Sequence, residues 1–153
     1  MHNESNKAVV ATLNSLMEIN NDRVEGYKHA LKETDDTDLK ELFKDMAEHS
    51  FKFKNELADE IIKAGGEPTG GTTNSGKLYR AWMDLRAAIT KKDRAAIVDS
   101  CEFGEDAAHE VYEMAAKEDG LPQPIKNLVD QQRQSLHQDH IAIKQLRDSL
   151  KGK

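Results

Sequence analysis

Apolar side chains recur at steps of three and four through Val9, Leu13, Leu16, Val24, Tyr27 and Leu31, with Asn20 interrupting the series. That spacing predicts an amphipathic helix over about residues 7–31, carrying one polar defect in its inward stripe. Asp and Thr in ETDDTD favour turns and caps, so the helix stops there, and Thr37 or Asp38 is placed to cap a second helix. The second stripe, Leu39, Leu42, Met46, Phe53, Leu57 and Ile61, predicts a helix over about residues 38–64, with His49 and Ser50 filling its middle. Gly65 and Gly66 supply a left-handed cap. Because the link between them is short, the two helices are expected to be antiparallel neighbours.

Residues 65–76, GGEPTGGTTNSG, hold no large apolar side chain and read as a flexible loop. A short helix over about residues 77–89 follows, presenting Leu78, Trp82, Leu85 and Ile89, a face suited to packing across the side or end of the long helices. Asp93 is a good N-cap for a third long helix, about residues 94–117, which ends before the glycine of KEDG. Pro124 fits the first turn of a fourth, whose stripe is Ile125, Leu128, Val129, Gln132, Leu136, Ile143, Leu146 and Leu150. Two helical hairpins joined by one long crossover is the ferritin-like connection. The expected fold is therefore all-α: a single domain over residues 1–153, a ferritin-like antiparallel four-helix bundle whose long crossover carries one extra short helix.

The third helix brings in the chemistry. Its stripe of Ile97, Cys101, Ala108, Tyr112 and Ala115 has Glu105 where another apolar residue belongs. Aligned at their midpoints, the two hairpins bring Asn20, His49, Ser50, Glu105 and the stretch from Gln132 to Asp139 and His140 to a similar depth. A buried polar layer follows, and its members must bond one another, hold water or ligate a metal, since unpartnered burial costs a few kcal/mol for each group. Ferritin-like di-iron sites use Glu-x-x-His pairs on two helices, and no such pair occurs here. The nearest approximations are Asp106-Ala-Ala-His109, Gln134-Ser-Leu-His137 and the pair His137 and His140, with His109 and His137 away from the apolar stripes.

The candidate metal ligands are accordingly Glu105, His140, His49 and Asp139, a mixed nitrogen and oxygen set for one transition-metal ion. The competing reading pairs Glu105 with His140 or His49 in a charge-assisted contact completed by the Tyr27 and Tyr112 hydroxyls, with no cofactor. On that reading Glu105→Leu is tolerated, whereas His140→Leu strands a buried carboxylate.

Composition narrows the function further. A net charge of -6 without a free basic stretch argues against nucleic acid as a partner. No apolar run approaches the roughly 20 residues that span a bilayer, and no basic amphipathic face suits a membrane surface. A cytoplasmic protein is expected, with a homo-oligomer or a protein partner as its possible associations. The single cysteine, Cys101, lies on an apolar stripe and reads as a packed thiol.

Asp22-x-x-Glu25-Gly26-Tyr27, GGEP at 65–68, Trp82-Met83 with Leu85, Cys101-Glu102-x-Gly104-Glu105-Asp106 with Tyr112, and His140 before Leu146-Arg147-Asp148 carry a resemblance. Together they resemble an uncharacterised bacterial family of ferritin-like four-helix-bundle proteins in the rubrerythrin/ferritin-like superfamily. The resemblance implies a bacterial cytoplasmic protein, stress-associated and without an established reaction. It marks Glu25, Glu102, Glu105 and His140 as the family-like polar positions. The two functions that follow are a non-catalytic helical module and a metal-binding redox or iron-handling protein.

Overall fold

The computed structural model describes residues 2–72 and 76–151, with side chains for residues 6–72 and 79–149. It is all-helical, in five elements: α1 His2–Glu33, α2 Thr37–Lys63, α3 Gly76–Thr90, α4 Arg94–Ala116 and α5 Gln123–Lys151. Among the described residues there is no strand, and no helix is long and apolar enough to cross a membrane.

Local chemistry explains most of the ends. Gly65 at φ 85° lets the Gly66 N–H reach back to the Ile61 carbonyl, closing α2. The Asp93 carboxylate accepts from the Ala96 N–H and starts α4 as its spacing suggests. The start of α2 differs from expectation. Asp36 is the cap residue and its side chain makes no capping bond, while Asp38 accepts from Leu39 and the Thr34 hydroxyl accepts from the Asp36 N–H. Asp38 is drawn instead into a salt bridge with Arg94 at the head of α4.

The helices pack as α1 on α2, α4 on α5, α1 on α4 and α2 on α5, with α3 lying against α4 and α1. Ala81, Leu85, Ala88 and Ile89 form the buried face of α3, and Trp82 is half-buried. The approach of α3 to α1 depends on Gly26, where a Cβ would sit 2.5 Å from the Trp82 ring carbons. Trp82 then meets the Tyr27 ring edge-on at a centroid distance of 5.1 Å. The side chain of Leu78 lies outside the described residues.

With α2, α4 and α3 on three sides, the middle of α1 is buried all round, so Ile19 to Val24 are consecutive buried positions. The segment before α3 adds to this cover. Asn14 bonds the backbone of Glu67 and Thr69, and Asn21 bonds the carbonyls of Thr69 and Gly71. Residues 67–71 are thus tied to α1 by side-chain amides rather than by apolar burial. The flexible loop expected over residues 65–76 lies partly outside the described residues, at 73–75.

Two apolar clusters fill the interior. One gathers Leu13, Leu16, Phe53, Leu57, Ile61, Tyr112, Val129 and Leu136, and the other Tyr27, Leu39, Phe43, Met46, Leu85, Ile97, Cys101 and Ile143. The buried polar residues Asn20, Arg23, Ser50, Glu105, Gln132 and Asp139 come from the helix stretches where one cluster gives way to the other.

Candidate functional site

Glu105 is 3 % exposed, as its place in the α4 stripe requires, and its partner is Arg23 of α1, whose exposure is 0 %. Arg23 donates from Nε to Glu105 Oε2 at 3.0 Å and from Nη2 to Oε1 at 2.7 Å, a bidentate pair. Its remaining donors reach Asp139 Oδ2 of α5 at 3.1 Å and the Ser50 Oγ of α2. The Tyr27 hydroxyl donates to Glu105 Oε2 at 3.0 Å. One guanidinium therefore joins four helices. Arginine suits the position because its planar fork satisfies two carboxylates at fixed angles, which a lysine ammonium does not.

His49 reaches the same network from outside. Its side chain is 47 % exposed, and Nδ1 lies 3.0 Å from Asp139 Oδ1. Asp139 thus bridges the buried cation and a solvent-facing imidazole. The inward place expected for His49 belongs to Ser50, with Ala47 and Met46 before it. His140 also departs from expectation. It turns to the α4–α5 seam, where Nε2 lies 3.2 Å from Asp106 Oδ1, and makes no bond to Glu105.

Glu102 pairs with Arg147 at 2.6 Å, and Glu25 is exposed. Tyr112 belongs to a separate chain of bonds. Its hydroxyl donates to Gln132 Oε1 at 2.7 Å and accepts from Asn20 Nδ2 at 2.8 Å, and Gln132 in turn bonds the Phe53 carbonyl and Glu56.

The electrostatics are those of a closed ion cluster. Burial by itself would lower the Arg23 pKa, but Glu105, with Tyr27 and Asp139, outweighs it and holds the guanidinium charged. Burial pushes the Tyr27 phenol well above its ordinary range, and Glu105 adds to the rise. The Cys101 thiol is raised by the same two causes, burial first, so it is a packed thiol and not a nucleophile at neutral pH. Every strong acceptor in the cluster faces a donor, leaving no activated group aimed into open space.

As the side chains stand, no group of three or more His, Cys, Asp or Glu residues among those described is close enough to hold a metal ion. Of the four candidate ligands, Glu105 and Asp139 are brought together on Arg23, His49 joins through Asp139, and His140 is turned to Asp106. Sequence reading missed Arg23. The signal was present, since Leu16, Asn20, Arg23, Tyr27 and Ala30 are spaced at three and four and all are buried.

With that geometry in view, the chain belongs to the family described as a domain of unknown function (DUF2383), which it matches over residues 8–118. No curated protein matches the chain.

Proposed function

We propose that the chain is a ferritin-like four-helix bundle, formed by α1, α2, α4 and α5, that acts as a non-catalytic module. Its central positive charge comes from Arg23. Ferritin-like metal proteins gather inward carboxylates around ions, whereas here a guanidinium lies between the carboxylates of α4 and α5 and satisfies both. That single observation carries the reading. The buried cluster then fixes which helix faces which and in what register, as isolated buried polar groups do in coiled coils.

An interaction role is supported by the outer face of the α1–α2 hairpin. There Phe51, 51 % exposed, borders a groove of about 350 Å³ with Leu31 and Ala47, and Lys28 and Lys44 stand at its rim. An exposed aromatic beside an open apolar groove is the kind of surface a protein partner covers.

Elemental analysis of untagged protein tests the proposal. Metal content is expected to be the same for the wild type and Glu105→Gln. A transition ion near one per chain, lost in Glu105→Gln and kept in His137→Ala, would overturn it.

A further inference from the structure

The outer seam between α1 and α2 is covered along one half and bare along the other. Asn14, Asn21 and Lys28 are spaced by seven and so share one face of α1. The first two are roofed by the crossover segment, through bonds to the backbone of Glu67, Thr69 and Gly71, while Lys28 is exposed. Beyond that roof lies the groove of Lys28, Leu31, Lys44, Ala47, Glu48 and Phe51.

The shape and charge of this groove are complementary to themselves. It holds both a recess of about 350 Å³ and a projecting aromatic, Phe51 at 51 % exposure, whose ring is oriented by the Lys28 ammonium 5.9 Å from its centroid. Its charges are of both signs. Lys44 and Glu48 stand one turn apart on α2, both exposed, and among the described residues neither is taken up in a salt bridge. The groove carries two lysines to one glutamate in a chain of net charge -6, so two copies meet here with less repulsion than their overall charge would impose.

We propose that this groove is the interface of a homodimer, with a second copy of the chain as its occupant. A two-fold axis crossing α2 near Ala47 reverses the order of residues along the facing helix. Lys44 then comes against Glu48 of the partner subunit, and Glu48 against the partner's Lys44. The same operation carries each Phe51 into the other recess, beside Leu31 of the partner subunit, and takes from water an aromatic face that the monomer leaves half in it. The inference rests on the interaction role proposed for this face and names the partner that fills it.

Sedimentation velocity of the untagged full chain, at concentrations up to about 100 μM, tests it against the micromolar Kd expected of a small interface with one aromatic anchor. A reversible dimer is expected for the wild type. Phe51→Glu, Lys44→Glu and Glu48→Lys should each weaken it at least tenfold, by burying a charge or by setting like charges face to face. All three positions are exposed, and circular dichroism checks that the variants are folded. Mixing Lys44→Glu with Glu48→Lys should restore the dimer, because one chain then carries two acids at positions 44 and 48, the other two bases, and both contacts across the interface join opposite charges. Met114→Gln, 72 % exposed in the wild type and on the α1–α4 side, should leave the equilibrium unchanged. A wild type that stays monomeric, a Phe51→Glu variant as dimeric as the wild type, or a mixture no more associated than its components would overturn the proposal. None of these outcomes bears on metal content, by which the non-catalytic reading stands or falls.

Discussion

Removing either half of the Arg23–Glu105 pair should be costly, while removing both should cost well below the sum of the two. In Arg23→Met, Glu105 keeps only the Tyr27 hydroxyl among its partners, and Asp139 keeps His49. In Glu105→Leu the buried guanidinium retains Asp139 and Ser50 alone. Arg23→Met leaves the buried Glu105 without a counter-charge and Glu105→Leu takes from Arg23 its bidentate partner, and breaking a buried pair in this way costs about 3–5 kcal/mol. The double variant removes both charges, leaves Asp139 with His49 as its partner, and leaves two neutral hydroxyls, on Tyr27 and Ser50, short of a partner at about 1–3 kcal/mol each.

The double variant should therefore lie several kcal/mol above the sum of the singles. Urea unfolding followed by far-ultraviolet circular dichroism, with Trp82 fluorescence as a second probe, reads the cycle. At a slope of about 2 kcal/mol/M a loss of about 4 kcal/mol moves the midpoint by about 2 M. Losses that add to within about 0.5 kcal/mol, or a cost below about 1 kcal/mol for Arg23→Met, would refute the reasoning.

Four further outcomes follow. His140→Leu should cost less than about 1 kcal/mol by the same assay, the reverse of what a Glu105–His140 pair requires, because His140 faces Asp106 and not the buried carboxylate. Gly26→Ala should cost about 1–3 kcal/mol and shift Trp82 emission, since the new methyl meets the indole at 2.5 Å. Gly104→Ala meets Ala81 at an ordinary 3.7 Å and should gain up to about 1 kcal/mol from helix propensity. Stability should fall as pH rises above about 9, where the unfolded chain loses the Cys101 proton and, above about 10, the Tyr27 proton, while the folded chain keeps both. The fall approaches about 1.4 kcal/mol per pH unit for each group, and Cys101→Ala should remove its first part, as pH-dependent thermal unfolding will show.

The stripes, the glycine at 65 and the cap at Asp93 were readable because each rests on local spacing or on one residue's backbone freedom. The polar layer was readable too, since Glu105 breaks an otherwise apolar series. Its partners were not, for a rotational reason. Successive residues differ by about 100° around a helix, so Glu105 and Asp139 point inward while Asp106 and His140 fall on the seam between α4 and α5. A reading that treats 139 and 140 as one polar patch merges two different surfaces. Arg23 was missed because a path from Asn20 through Val24 to Tyr27 satisfies the same periodicity. Only the packing of three elements around α1 shows that both paths are buried.

The account rests on a charged guanidinium sealed inside the protein between the carboxylates of α4 and α5. Hydrogen exchange of arginine side-chain Nε–H groups by nuclear magnetic resonance at neutral pH observes it directly. Arg23 is predicted to exchange orders of magnitude more slowly than the exposed Arg80 and Arg86, with that protection lost in Glu105→Gln. Exchange of Arg23 at the rate of those surface arginines would contradict the account.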